Sequence, residues 1–177
     1  MKVKIPFVLF ILCFFVLSVC ESSKVQNSNE FSLPKDIPSF VKEKDLKKIN
    51  WDRTFTVFDT GTRNDMIGYK HKLGFIGPDL KSNEELDIKP NEAQKWLWHF
   101  WGIEKGELTV VGYNQDTSKI TPVLNDGWSR NGIGGGKIEG ADASMPSSVV
   151  LPEAGKWALL VYIDGKLFDI LVFKINK

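Results

Sequence analysis

Cysteine and histidine are nearly absent from this 177-residue chain, which has two of each: Cys13, Cys20, His71 and His99. The histidines stand at no metal-ligand spacing, and no cysteine follows residue 20. A disulfide, a thiolate centre or a cysteine–histidine zinc site is therefore excluded from the body of the sequence, and no metal or cofactor is expected. Charge of one sign is lacking too. The 23 basic and 22 acidic residues leave a formal net charge of +1, which argues against an electrostatic nucleic-acid surface. The single long apolar run, residues 5–19, has 15 residues and falls short of the roughly 20 needed to cross a bilayer as a helix. The glycine-rich segment N-G-I-G-G-G-K (residues 131–137) is followed by Ile138 and Glu139 rather than by Ser or Thr opening a helix. It lacks the requirements of a phosphate loop and reads as an inter-strand loop.

What is present begins with a leader. Lys2 and Lys4 precede the apolar run, Cys20 closes it, and the polar stretch Glu21, Ser22, Ser23, Lys24 follows. A basic start, an apolar core and a cysteine at the exit form the layout of a bacterial lipoprotein signal. The lipid-addition box would be L-S-V-C (residues 17–20), in which Val19 departs from the usual small residue. On this reading residues 1–19 are removed and Cys20 carries a thioether-linked diacylglycerol. Two acyl chains give stable attachment at about 0.8 kcal/mol per buried CH₂. The protein is then expected on the extracytoplasmic face of the cell membrane. Cleavage would take away two positive charges and no negative one, leaving a net charge of −1. An uncleaved N-terminal anchor and ordinary secretion are the alternatives.

Residues 21–30 are rich in Ser, Asn and Gln and read as a tether. Pro34 and Pro38 disfavour regular structure, and residues 39–48 could form a short helix with a weak apolar stripe. Residues 20–50 are accordingly read as a lipidated tether and a loosely packed lead-in. From Trp51 onward the signals are β. Residues 54–58, 66–69, 72–76, 95–101 and 107–113 read as strands, and residues 118–124 could pair back on the last of them. The end of the chain is clearest: residues 156–163 and 166–175 are apolar at nearly every position and flank Asp164-Gly165, a favoured pair for a tight hairpin turn. Such strands predict central positions covered on both faces. Short strands, frequent Gly and Pro and almost no helical period predict a mainly β chain, an antiparallel β-sandwich over residues 51–177.

Few residues stand out as a site. In a strand, Trp96, Trp98 and Phe100 share one face, while Leu97, His99 and Trp101 share the other. Trp101 is the best candidate for exposure because Gly102 turns the chain after it. Trp128 and Arg130 could join it as the rim of a ligand site. His99 and Asp142 are the two residues on which a hydrolytic or metal-dependent activity would rest. The plainer readings are a structural histidine and a turn-capping aspartate.

Four pieces carry a family resemblance: K-L-G-F-I (residues 72–76), K-W-L-W-H-F-W-G (95–102), G-A-D-A-S-M-P-S-S (140–148) and L-P-E-A-G-K-W (151–157), the last leading into D-G-K-L-F (164–168). In this order they resemble uncharacterised Bacillus-type lipoproteins that carry an immunoglobulin-like domain of unknown function. The resemblance implies an anchored immunoglobulin-like β-sandwich behind a signal peptide and tether. It supplies no catalytic residue or cofactor. The expected function is a non-enzymatic module that binds a protein or envelope partner. The alternative is a carbohydrate or cell-wall binder using exposed Trp side chains.

Overall fold

Residues 157–163 and 170–173 are apolar on both sides because both of their sides are covered. The computed structural model describes residues 32–176, so Cys20 and the leader lie outside the described residues. Among those described, the elements are α1 (Glu43–Leu46), β1 (Thr56–Phe58), β2 (Met66–Tyr69), β3 (Leu73–Ile76), β4 (Leu80–Ser82), β5 (Glu85–Leu86), β6 (Gln94–Phe100), β7 (Gly106–Asn114), β8 (Ile120–Pro122), β9 (Ser129–Ile133), β10 (Ala143–Val149), β11 (Gly155–Ile163) and β12 (Lys166–Ile175). They form two sheets. One runs β1-β2-β3-β6-β10; the other runs β4-β5-β12-β11-β7-β8, with β9 also paired to β7. The pairings are antiparallel except for the single parallel bridge between Glu85 of β5 and Lys174 of β12. The expectation of a mainly β chain is met.

The two sheets share one core. Phe75, Trp96, Trp98, Phe100 and Met145 enter it from the five-stranded sheet, and Leu108, Trp157, Leu159, Leu171 and Phe173 enter from the seven-stranded one. Trp96 lies parallel to Phe75 with ring centroids 4.2 Å apart and reaches Phe173 of the other sheet at 6.2 Å. The alternation of β6 thus places its three largest inward rings in the core, as the sequence predicts. The β11–β12 hairpin turns through Asp164 and Gly165, whose positive φ angles of 49° and 74° suit the tight turn expected there.

A second apolar cluster covers the outward face of the seven-stranded sheet. Val111, Leu160, Tyr162 and Val172 form its floor, and Ile37, Phe40, Val41, Leu46, Ile49 and Trp51 lie over it. Residues 37–51 therefore pack firmly, unlike the loose lead-in expected of residues 31–50. Their apolar side chains follow no single period because only α1 is helical; turns deliver the rest. Asp45 of α1 is buried in this cover, where it accepts from Lys48 Nζ at 2.7 Å and from the Tyr162 hydroxyl at 3.3 Å. Burial pushes its carboxyl up. The Lys48 ammonium, the Lys42 N–H and the Tyr162 hydroxyl outweigh that and hold it below the usual carboxylate range.

Two further differences have a physical cause. Residues 140–148, singled out from sequence for the resemblance and for a turn-capping Asp142, mostly form β10, a strand the sequence reading leaves out. Ser144 exchanges both backbone hydrogen bonds with Gly134, and the Ser148 carbonyl accepts from Asn125, so the even-numbered residues aim at the outer edge. Pro146 falls between them, where the edge needs no donor. The glycine-rich segment is half strand: Asn131 to Ile133 belong to β9, paired with β7.

Candidate functional site

The outward face of the five-stranded sheet is built on small residues. Gly68 pairs with Gly74, Gly74 with His99 and His99 with Ser144 in one cross-strand row. Phe58 and Met66 close over Gly74, where a Cβ would stand 2.8 Å from the Met66 sulfur. The same row leaves room for the His99 ring, which is fully buried on this outward side.

A tight turn is folded down over that ring. Glu139 and Gly140 have φ angles of 49° and 80°, and Ile138 and Ala141 exchange backbone hydrogen bonds on either side of them. The turn is pinned through several contacts. Glu139 Oε1 accepts from Arg63 Nη1 at 2.9 Å, and Glu139 Oε2 stands 2.7 Å from His99 Nε2. The Gly140 carbonyl accepts from the Trp101 indole N–H at 2.7 Å, and Asp142 accepts from the Gly102 N–H at 2.8 Å. Arg63 also donates to both oxygens of Asp65, which with Glu139 raises its affinity for its proton; Asp65 is lowered in turn by Arg63.

His99 faces two acceptors, the Leu97 carbonyl at 3.1 Å from Nδ1 and Glu139 at Nε2. Glu139 Oε2 is the polar atom that faces Nε2, and neither of the two has another partner. Burial lowers the histidine pKa below its ordinary value. Glu139 and the Leu97 carbonyl pull the other way, and Arg63 beyond Glu139 adds to the lowering. An unfolded histidine titrates near 6.5, so the stability of the neutral buried ring is present above about pH 6.5 and is lost as the pH falls. The expected result is a thermal midpoint that drops between about pH 7.5 and about pH 5.5 in the native protein and drops less in His99→Gln. Equal slopes would remove His99 as the source.

Two hollows flank the turn. On the Arg63 side a groove of about 520 Å³ is lined by Val57, Ile76, Leu80, Leu97 and Pro146 with Arg63, Asp65 and Lys95 among its polar residues. Val57 and Leu80 are 45% and 37% exposed. On the Trp101 side a hollow of about 420 Å³ is lined by Phe58, Asp59, Lys70, His71, Trp101 and Gly140, among others.

The residues singled out from sequence are distributed as follows. Trp101 stands in the second hollow, against Phe58 and His71. Trp128 packs on the outer cluster of the other sheet and donates its indole N–H to Asp36 at 3.1 Å. Arg130, on β9 beside it, is paired with Asp126 at 2.6 Å. Trp101 and Trp128 thus serve opposite outward faces. His99 and Asp142 approach the same turn, one beneath it and one at its foot. Arg63, His71 and Glu139 carry no local sequence signal; the E-G pair at 139–140 marks a turn but not what it lands on. Among the described residues, no group of three or more His, Cys, Asp or Glu side chains is placed to hold a metal ion, and no helix is long and apolar enough to cross a membrane.

No curated protein matches the chain. A solved crystal structure described as a "Putative Lipoprotein from Bacillus anthracis" superposes with a TM-score of 0.57 at 23% identity, covering 78% of this chain and 96% of its own. That likeness is one of fold. Residues 40–173 match a family described as a domain of unknown function, DUF4871. The match takes in both sheets, the turn at Glu139 and Gly140 and most of the cover from Phe40 onward, and the chain belongs to the DUF4871 family.

Proposed function

We propose that the protein is a lipid-anchored, extracytoplasmic, non-enzymatic binding module. Its two sheets act as an immunoglobulin-like sandwich, and it meets a protein or envelope partner through the outward face of the five-stranded sheet. One observation carries this reading: the two outward faces are covered unequally. Residues 37–51 roof the seven-stranded sheet, whereas the other face keeps an open groove. Among the described residues, the exposed large apolar side chains are Val57, Leu80 and Ile138. The first two line the groove, and the third opens the turn beside it. Clustered exposure of this kind marks contact surfaces more often than scattered exposure does. The non-enzymatic part of the proposal is supported by His99 and Asp142. The first is enclosed between Leu97 and Glu139, and the second is occupied in capping Gly102. The anchor rests on Cys20 and the sequence around it.

Crosslinking on intact membranes tests both halves. Cys20→Ala is expected to move the protein from the membrane to the soluble fraction. Val57→Asp combined with Leu80→Asp is expected to leave it in the membrane, folded, but to abolish most crosslinked adducts. Both positions are exposed, so the stability change should stay within about 0.5 kcal/mol. Unchanged adducts in the double variant would remove the groove from the contact surface. Membrane retention of Cys20→Ala would remove the lipid anchor.

A further inference from the structure

We propose that the hollow beside Trp101 and His71 binds a pyranose ring of a neutral polysaccharide, stacked on the Trp101 indole. The proposal rests on the reading of this face as the binding surface and names the ligand class for one part of it.

The shape comes first. Trp101 and His71 meet edge to face, at 87° with centroids 6.4 Å apart, and Phe58 closes the corner at 58° and 6.0 Å. The indole N–H of Trp101 is already given to the Gly140 carbonyl. The ring is therefore fixed in place, and what remains for a ligand is its apolar face. A sugar ring presents C–H groups on its faces and hydroxyls around its rim, which suits a fixed aromatic plane with polar groups at its edge. Lys70 and Asp59 supply those groups, a donor and an acceptor, both exposed on the same lining. Their charges oppose each other, so the lining favours neither an anion nor a cation. A neutral polyhydroxylated ligand is the class left.

Backbone strain is the second, independent observation. Residues 69–72 form the β2–β3 turn, closed by the Lys72 N–H donating to the Tyr69 carbonyl at 3.0 Å. His71 is the third residue of this turn and has φ 61°, a left-handed conformation for which glycine is the usual choice. The fold itself gains nothing visible from a side chain there: the histidine is exposed, and its ring contact is with Trp101. A side chain that stands at a strained position and lines a hollow is placed for a ligand contact.

The test uses the full-length lipidated protein in a sugar-free detergent and follows the tryptophan indole N–H resonances by NMR, with Trp101→Phe assigning the relevant one. Cellotriose and tri-N-acetylglucosamine are the neutral probes; tetramethylammonium and inorganic phosphate are the charged ones. A saturable shift of the Trp101 resonance with at least one trisaccharide is expected, and not with the charged probes. His71→Gly is expected to weaken that binding about tenfold or more, the loss of one aromatic contact. Its melting point should be unchanged or raised, because glycine relieves the left-handed turn. The proposal is overturned if neither trisaccharide moves the resonance at millimolar concentration, if a charged probe moves it instead, or if His71→Gly binds like the native protein. Should the trisaccharides fail while Val57→Asp with Leu80→Asp still abolishes crosslinking, the hollow loses its ligand and the binding face stands.

Discussion

Trp96→Ala is expected to lower the unfolding free energy by about 3–5 kcal/mol, the range for emptying a fully buried aromatic site. Trp96 is 1% exposed and is held on three sides, by Phe75 in parallel contact, by Trp98 at 5.1 Å and by Phe173 from the opposite sheet. It joins the sheets where no disulfide can, so the cavity left by alanine would open at their junction. Its indole N–H has no hydrogen-bond partner. Trp96→Phe keeps an aromatic ring in the site and removes that unsatisfied donor, and should cost much less than alanine. Trp98 provides the contrast, because its N–H donates to the buried Ser147 hydroxyl at 2.8 Å. Trp98→Phe strands that hydroxyl and should cost about 1–3 kcal/mol from the lost partner alone. Urea denaturation of the three variants checks the order: Trp96→Ala largest, Trp98→Phe next, Trp96→Phe smallest. If Trp96→Phe were as damaging as Trp96→Ala, the unpartnered N–H would be contributing a bond that the geometry does not contain.

The same pair of tryptophans shows what sequence pattern can and cannot reveal. Alternation along residues 96–101 assigns each side chain to a face, and the structure keeps that assignment at every position. Residues 157–163 and 170–173 declare burial on both sides by their unbroken apolar content. The failures lie where the deciding interaction is remote. Pro146 argues against a strand, and only the backbone direction at Ser144 and Ser148 shows that its missing N–H faces an edge. Arg63 and Glu139 are 76 residues apart, so no spacing rule could join them over His99. Sequence alone offers Trp128 as a companion for Trp101. Asp36, 92 residues before it, takes its indole N–H on the other face. The aromatic half of the candidate hollow was thus legible in Trp101. The half supplied by Phe58 and the strained His71 was not, because it depends on how the β2–β3 turn folds back.

A chain beginning at Trp51 is expected to fail where a chain beginning at Ser32 succeeds. The β pattern begins near residue 51, and a boundary drawn there would separate the two sheets from the cover of one of them. Without residues 37–50 the floor formed by Val111, Leu160, Tyr162, Ile170 and Val172 would face water. Each such side chain contributes roughly 1.5–3 kcal/mol when fully buried. Asp45 would go as well, leaving the Tyr162 hydroxyl without its acceptor. The shorter chain keeps Trp51 against Tyr113, and it keeps the ion pair of Arg53 with Asp169. Those contacts secure the start of β1 but do not reach the exposed floor. An uncovered apolar face of several adjoining strands favours self-association. Size-exclusion chromatography, ANS fluorescence and thermal melts compare the two. The chain from Ser32 should be monomeric, dark to ANS and cooperative on heating; the chain from Trp51 should bind ANS, self-associate and lose its sharp transition. A monomeric, cooperative chain from Trp51 with a melting point near that of the longer one would show that residues 37–50 are dispensable. The unequal covering of the two faces would then no longer distinguish a structural face from a binding one, so this measurement bears on the proposed contact surface as directly as on the fold.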